Sequence, residues 1–232
     1  MKDVSKFAGK DRYSVEDLVE ILHVLRSPEG CPWDREQDHK SIRRDFLEEC
    51  YEAIEAIDNA DPVLLREELG DVLLQVVFHS TIEDEEGRFN FYDVVSDVAE
   101  KMVVRHPHVF ADTKADTTEE VLTNWDQIKR ETKQQESDRA VLQSVSPAMP
   151  ALMRAQKVRK KAAKMGEETG SVEELKQTIA ETLKSADENN AAAAIGTALF
   201  DMTELARKLG TDAEQALFET CRAYIEQFGT DK

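Results

Sequence analysis

A line of polar side chains interrupts an otherwise apolar segment in the first third of the chain. Glu68, Asp71, Gln75 and His79 recur at i, i+3, i+7 and i+11, so a helix places them one above another on a single face. The neighbouring positions carry Leu, Val and Phe, which predicts a helix that is buried on most sides. Carboxylates in such surroundings are costly unless a partner stabilises their charge, and a metal ion is the usual partner. This polar stripe is therefore the first candidate for chemistry.

A second acidic segment comes just before the stripe. Glu48, Glu49 and Glu52 stand there at helical spacing, and the short loop DNADP separates the two segments. A loop of that length predicts that the two helices pack antiparallel. We therefore expect Glu49 and Glu52 to face Glu68 and Asp71.

The apolar residues of this preceding helix predict which of its faces is buried. They leave Glu49 on the flank of the buried face, with Glu48, Glu52 and Glu55 further round. The predicted apolar residues are Phe46, Leu47, Cys50, Ile54 and Ile57.

Four carboxylates in one place repel one another strongly unless a cation lies between them. Mg²⁺ is the expected cation, because it binds through a few carboxylates together with waters and substrate phosphates. A solvated helix face is the alternative interpretation for Glu48 to Glu55. A di-iron bundle is the rival metal site, but it needs two Glu-x-x-His motifs. Such motifs occur at Glu36 to His39 and at Glu20 to His23, and both lie outside the acidic pair.

Composition limits the classes of partner. The chain has 232 residues and a net charge of −18, which argues against nucleic acid or an anionic membrane as the main partner. Its 3 cysteines are widely spaced and form no CxxC pair, so neither a zinc site nor a disulfide framework is indicated. No apolar run has the length of a membrane span, and the N-terminal residues include no apolar stretch. We expect a cytoplasmic protein.

Helix formers dominate the sequence, and aromatic residues make up 6%, so an all-α fold is predicted. Ser14 and Asp17 form a capping-box pattern that predicts the start of the first helix. A polar, Ser-containing stretch around 136–149 is predicted to be a linker. The hydrophobic periodicity predicts helices over residues 15–25, 41–57, 63–81, 91–104, 119–133, 151–164, 171–187, 191–209 and 212–228.

The second half of the chain echoes the first. The segment 71–80 resembles 197–206, and each follows a glycine, Gly70 or Gly196. The segment EELGD of the first copy becomes AAIGT in the second, so Glu68 and Asp71 are replaced by Ala194 and Thr197. The second copy therefore keeps the apolar pattern without the carboxylates.

These motifs resemble those of the MazG-type nucleoside triphosphate pyrophosphohydrolases, within the all-α NTP pyrophosphohydrolase superfamily. The carboxylate pattern Glu-Glu-x-x-Glu followed by Glu-x-x-Asp carries the resemblance. Three further segments make it specific: GCPWDREQ (30–37), RHPHVF (105–110) and NWDQIKRE (124–131). The likeness extends over nearly the whole chain and includes PALMRAQKV (150–158) at the start of the second repeat.

The resemblance implies Mg²⁺-dependent hydrolysis of nucleoside triphosphates to the monophosphate and pyrophosphate, with Mn²⁺ as a substitute metal. It implies that Glu49, Glu52, Glu68 and Asp71 are the metal ligands. Metal ions of this kind neutralise the triphosphate and activate a water for attack at the α-phosphorus. Glu48 is the candidate for orienting or deprotonating that water, or for a supporting role around the metal ligands.

The substrate is expected to contact further residues beyond the carboxylates. Lys101 and Arg105 lie one helical turn apart and are suited to holding phosphates. By the resemblance, Trp125 stacks on the base and Lys129 contacts a phosphate. Trp33 stands where related proteins use an aromatic side chain near the base, and Gln37 follows it by one turn. Ordinary packing is the alternative role for each tryptophan.

Two tandem MazG-like helical repeats are therefore expected, of which the second is degenerate. The predicted units are a catalytic domain over 10–135, the linker over 136–149 and an inactive domain over 150–232 that packs or dimerises. A homodimer and a role in clearing non-canonical nucleotides from the pool follow from the resemblance. The alternatives are a weak or inactive nucleotide-binding or protein-interaction module, and a narrower dNTP pyrophosphohydrolase.

Overall fold

A computed structural model describes residues 4–115, 117–132 and 137–228, without the side chains of 122, 126 and 129–132. Within these ranges the chain forms α-helices and one short 3₁₀ helix but no strand, which confirms the all-α prediction. The helices are α1 (Val15–Arg26), α2 (Pro32–Glu36), α3 (Arg43–Asp58), α4 (Pro62–Glu85), α5 (Phe91–Arg105), α6 (Pro107–Phe110), α7 (Thr118–Thr132), α8 (Asp138–Gln143), α9 (Ala151–Lys164), α10 (Val172–Lys184), α11 (Ala191–Lys208) and α12 (Ala213–Phe228).

Local sequence signals explain where the first helices begin. The Ser14 side chain accepts a hydrogen bond from the Asp17 backbone amide, and the Asp17 carboxylate accepts one from the Ser14 amide, so the predicted capping box is confirmed. Asn90 and Asp93 form the same arrangement at the start of α5. Each box satisfies backbone N–H groups that have no partner within the helix.

The chain divides into two compact units, residues 1–121 and 122–232. In the first unit α4 is the central helix, and α3, α1 and α5 pack against it. Its core is an apolar cluster in which Leu22 and Val77 are almost fully enclosed. The buried members of this cluster are Val19, Leu22, Ile42, Val77, Phe78, Ile82 and Phe91.

The exposure of α4 corrects one prediction from its sequence. The C-terminal half of α4 is enclosed, but in the N-terminal half Leu69 and Leu73 remain exposed, by 54% and 38%. The helix is therefore buried on most sides only over its second half. It also continues to Glu85, beyond the predicted end at residue 81.

The buried face of α3 is also different from the prediction. Leu47, Ile54 and Ile57 are exposed, so the expected apolar stripe does not face the core. Ala53 and Ala56 are buried in its place, because small side chains allow α3 to approach α4 closely. Glu49 shares the helical face of these two alanines instead of lying at its edge.

The second unit is also built around one central helix. Its central helix α11 packs against α9, α10 and α12. The core contains Ala162, Leu175, Ile179 and Ala198. The same order of helices therefore surrounds a central helix in both units.

The predicted linker and the predicted domain boundary differ from the observed organisation. The segment 136–149 contains α8, and both Val141 on this helix and Val145 after it are buried. The division between the units falls inside α7 rather than after residue 135. Among the described residues, none of the helices combines the length and apolar character needed to cross a membrane.

Candidate functional site

The turn between α3 and α4 sets the geometry of the site. Ala60 adopts a φ of 52°, in the left-handed region, which reverses the chain after α3. The Asp61 carboxylate accepts hydrogen bonds from the amides of Val63 and Leu64, and Pro62 occupies the first turn of α4. The two helices are thereby packed side by side, as the short loop predicted.

Three carboxylates converge between these helices. Glu49 on α3 and Glu68 and Asp71 on α4 each offer an oxygen, and these oxygens all lie within 4.8 Å of one another. Glu68 is buried, and the other two are half-buried. A set of clustered carboxylate oxygens is the donor set that a hard divalent cation such as Mg²⁺ prefers.

The surroundings of Glu49 and Glu68 disfavour the ionised forms of these two carboxyl groups. The pKa of Glu49 is raised mainly by burial and further by the charges of Asp71, Glu52 and Glu68. The pKa of Glu68 is raised by burial and by Glu52 and Asp71. A cation between these groups would relieve the repulsion that raises both pKa values.

Glu52, the fourth predicted ligand, is not one of the three residues whose oxygens converge. Its carboxylate can accept a hydrogen bond from protonated Glu49 or Glu68, and its charge also raises the pKa of each. Its side chain is more exposed than theirs. Glu48 is exposed and is not one of the three residues whose oxygens converge.

The polar stripe of α4 continues beyond the carboxylates. Gln75 is 8% exposed, and its Oε1 has no hydrogen-bond partner among the described residues. One turn further, the rings of His79 and His39 stack, and their Nδ1 atoms lie 2.7 Å apart. The Glu83 carboxylate lies 2.5 Å from His39 Nε2 and is also bonded to the Arg88 guanidinium.

The Glu83 carboxylate is paired with the side chains of Arg88 and His39. The guanidinium of Arg88, together with His39, lowers the pKa of Glu83 to about 2. Burial, and then the charge of His39, lowers the pKa of His79. The sequence placed His79 on the stripe, but the contact with His39 and Glu83 joins segments whose proximity depends on the tertiary fold.

The two cations predicted to hold phosphates differ in their surroundings. Both lie on α5, where Lys101 is exposed and Arg105 is 9% exposed. Arg105 also makes an interaction within the protein. Lys101 is thus freely accessible from solvent, whereas Arg105 is largely enclosed.

Trp33 and Gln37 lie at the short helix α2. Trp33 is 59% exposed, and the Gln37 side-chain amide donates a hydrogen bond to the Trp33 carbonyl oxygen. Arg26 fixes this segment, because its guanidinium donates to the carbonyl oxygens of Asp34 and Gln37. The same guanidinium makes two 2.8 Å hydrogen bonds to Glu85 at the end of α4.

Gly30 has a separate role in shaping the turn before α2. A side chain at this position would collide with the backbone carbonyl oxygens of Val24 and Leu25. Glycine is therefore required by close backbone approach in the motif GCPWD. The sequence motif identified this segment but not the buried Arg26 that anchors it.

Trp125 and Lys129 lie on α7, in the part of this helix that belongs to the second unit. Trp125 is half-buried and makes an interaction within the protein. The side chain of Lys129 lies outside the described residues. The geometry therefore leaves the predicted roles of both residues as predictions.

Comparison with known proteins identifies the family to which the chain with these carboxylates belongs. A family model described as the MazG nucleotide pyrophosphohydrolase domain matches residues 37–110, which include all four predicted metal ligands. A nucleoside triphosphate pyrophosphohydrolase/pyrophosphatase MazG of Thermotoga maritima is 38% identical over 217 residues, covering 92% of this chain and 83% of the relative. This chain belongs to the MazG family. The resemblance read from the motifs, and with it the enzyme class of nucleoside triphosphate pyrophosphohydrolases, is confirmed.

Further relatives extend the MazG likeness to other bacteria. A nucleoside triphosphate pyrophosphohydrolase of Escherichia coli is 40% identical over 224 residues, covering 92% of this chain and 85% of the relative. One of Mycolicibacterium smegmatis is 32% identical over 206 residues, covering 81% of this chain and 63% of the relative. In the first two relatives the similarity spans most of both chains, so it includes the second unit of this MazG-family protein.

The second unit has different chemistry at the corresponding positions. Ala194 is buried and Thr197 is exposed where the first unit has Glu68 and Asp71. One face of α11 instead carries paired charges further along the helix. Glu204 is fully buried and accepts hydrogen bonds from Arg207 and Thr169, which lower its pKa. Ion pairs within the protein thus satisfy this carboxylate.

Proposed function

We propose that this protein hydrolyses nucleoside triphosphates to the nucleoside monophosphate and pyrophosphate with Mg²⁺ bound at Glu49, Glu52, Glu68 and Asp71. The observation that carries the proposal is the convergence of three of these carboxylates within 4.8 Å. The raised pKa values of Glu49 and Glu68 support it, because burial and then the charges of neighbouring carboxylates disfavour the ionised forms. Such a site is costly without a cation.

The reaction proposed is attack of water on the α-phosphorus. A bond forms between the water oxygen and the α-phosphorus, and the bond from this phosphorus to the bridging oxygen of the leaving pyrophosphate breaks. Bound Mg²⁺ would neutralise the phosphates and acidify water. Glu48 is proposed to orient the attacking water or accept its proton, supported by its position one residue before Glu49 and its accessibility to solvent.

Substrate contacts are proposed for residues around the carboxylates. Lys101 and Arg105 are suited to the phosphates, since both are cationic and lie one turn apart on α5. Trp33 is proposed to stack on the base, which its exposed ring permits, with Gln37 beside it. The roles of Trp125 and Lys129 in binding base and phosphate rest on the family resemblance.

The second unit is proposed to be a degenerate MazG-like repeat without a catalytic site. The matching order of helices around α4 and α11 supports the repeat. The replacement of Glu68 and Asp71 by Ala194 and Thr197 supports the loss of chemistry. A house-cleaning role in a cytoplasmic nucleotide pool is part of the same proposal, and Mn²⁺ is expected to substitute for Mg²⁺.

A homodimer is proposed from the exposed apolar surface of α3 and α4. Leu47, Tyr51 and Ile54 recur along one side of α3, and Leu69 and Leu73 along one side of α4. Leu73 also lines a groove of about 470 Å³ beside Leu18 and Ile21 of α1. Rows of exposed apolar side chains such as these favour an interface with another protein surface.

The experiment that tests the activity measures pyrophosphate released from a panel of NTPs and dNTPs with Mg²⁺. In oxygen-18 water the label is expected in the monophosphate and not in pyrophosphate, because water attacks the α-phosphorus. Glu68→Ala is expected to abolish turnover while the protein stays folded, and Thr197→Ala to leave it unchanged. Label found in pyrophosphate would contradict the proposed point of attack, and loss of activity in Thr197→Ala would contradict the inactive second repeat.

A further inference from the structure

Gln75 is a member of the polar stripe that has no role in the proposed reaction. Its residue is 8% exposed, and Oε1 is buried without a hydrogen-bond donor among the described residues. Leaving a buried carbonyl oxygen unpaired destabilises the folded protein. A methionine or leucine would fill the same space without that cost.

The position of Gln75 on α4 places it near the carboxylate cluster. Asp71 precedes it by four residues and Glu68 by seven, so the three side chains share one helical face. Phe46 of α3 contacts the ring of His79, one turn beyond Gln75, and Glu49 of α3 lies beside Asp71. Gln75 therefore lies between the carboxylate cluster and the histidine pair.

Gln75 Oε1 is a hydrogen-bond acceptor, which limits the groups that can pair with it. A neighbouring carboxylate cannot satisfy Oε1, because an ionised carboxylate offers only acceptors. The water bound to a divalent cation has its lone pair on the metal and presents its O–H groups outward, and Mg²⁺ keeps several such waters. Oε1 is an acceptor located one helical turn from a proposed metal ligand, so the two groups are complementary.

We propose that Gln75 is a positioning residue that accepts a hydrogen bond from a water on the cation bound at Glu49, Glu68 and Asp71. This inference rests on the proposed function, since it requires a hydrated cation at the carboxylates. It adds a residue that acts on the cation through water and not by direct coordination. The amide would hold the hydrated cation in one orientation at the end of the cluster that faces His79.

The same arrangement predicts opposite effects on stability and on metal binding. Gln75→Met removes the buried unpaired carbonyl, so the metal-free variant is expected to unfold at a higher temperature than the natural protein. It also removes the acceptor, so Mg²⁺ binding is expected to weaken about 10-fold, within the range that outer partners of metal sites show. A residue with only a structural role would not combine the two effects.

Calorimetric titration of the full-length protein with MgCl₂ tests the proposal, together with thermal unfolding in EDTA. Gln75→Glu retains an acceptor at the same length and is expected to keep Mg²⁺ affinity. Thr81→Val is the matched control, because Thr81 is also buried on α4 but its hydroxyl donates to the Val77 carbonyl oxygen. This control is expected to bind Mg²⁺ like the natural protein.

Three results would overturn the inference. Natural Mg²⁺ affinity in Gln75→Met combined with weaker binding of a non-hydrolysable nucleotide would assign the amide to the nucleotide. One additional water on bound Mn²⁺ in Gln75→Met, counted by water-proton relaxation, would mean that Gln75 coordinates the metal directly. If the natural protein and Glu68→Gln both fail to bind Mg²⁺, the proposed metal site itself is wrong. Loss of Mg²⁺ binding in Glu68→Gln alone would support the proposed metal site.

Discussion

The carboxylates of Glu49 on α3 and Asp71 on α4 lie within 4.8 Å of each other, and the charge of Asp71 raises the pKa of Glu49. Two residues from different helices are thus held at a distance where their ionised forms repel. The turn at Ala60 and the buried alanines Ala53 and Ala56 keep the helices at this separation. The fold stabilises a concentration of negative charge that a cation would balance.

The raised pKa of Glu68 has a consequence for the stability of the metal-free protein. Its folded-state pKa is raised above the ordinary value of 4.5, so the free energy of unfolding falls as pH rises from 4.5 through the folded-state pKa, and the penalty is complete once the carboxyl is fully ionised. Glu68→Gln removes this penalty. We therefore expect the variant to have the higher melting temperature at neutral pH in EDTA.

Two further measurements check that explanation. The difference in melting temperature is expected to shrink as the pH is lowered towards 4.5, where the natural carboxyl takes up a proton. Mg²⁺ is expected to reverse the order, because it binds the natural protein and stabilises it by mass action. A difference that stays constant across this pH range would argue against charge repulsion as the cause.

The Glu83 network is expected to show the opposite pH dependence. The pKa of Glu83 is lowered from 4.5 to about 2 by Arg88 and His39, so its contribution to stability is present above 4.5 and is lost as pH falls towards 2. Glu83→Gln should therefore melt at a lower temperature than the natural protein at neutral pH. Thermal unfolding monitored by circular dichroism at decreasing pH would follow this difference.

The control variant for the Glu83 network replaces Arg88, the cation that pairs with Glu83. Arg88→Ala is expected to reproduce most of the loss, since Arg88 is the main cause of the lowered pKa of Glu83. Both differences are expected to converge towards zero in acid. Equal melting temperatures of the natural protein and Glu83→Gln at neutral pH would show that the network does not stabilise the fold.

The exposed apolar surface on α3 and α4 predicts a dimer that a charge disrupts. Ile54→Asp places a carboxylate within this surface and is expected to shift the protein from dimer to monomer, because an unpaired charge is costly in an interface. Multi-angle light scattering after gel filtration measures the mass. Thr113→Asp adds the same charge at an exposed loop position and is expected to stay dimeric. A natural protein that is monomeric at all concentrations would contradict the prediction.

Much of the fold follows from short-range signals in the sequence. The capping box of Ser14 and Asp17 fixes the start of α1, and the predicted helix 151–164 coincides with α9. The short loop before Pro62 correctly indicated an antiparallel pair. These features depend on neighbours within a few residues, so periodicity and capping residues are sufficient to predict them.

Features that depend on tertiary packing were harder to predict from the sequence. The apolar periodicity of α3 predicted that Leu47 and Ile54 face the core, but the small residues Ala53 and Ala56 do so, because close approach to α4 favours them. The same limit applies to the site. Carboxylate spacing predicted that Glu49 lies close to Glu68 and Asp71. The contact of His39 with His79 depends instead on how the loop before α3 crosses α4.

The most direct test of the central claim is Mg²⁺-dependent release of pyrophosphate from a nucleoside triphosphate by the natural protein and by Glu68→Gln. Loss of a residue that only supports a metal ligand typically costs about 10–100-fold, so loss of a direct ligand is expected to lower the rate by more than about 100-fold. EDTA is expected to abolish release by the natural protein, and added Mg²⁺ to restore it. Pyrophosphate release by Glu68→Gln at the natural rate would contradict the assignment of the carboxylate cluster as the metal site.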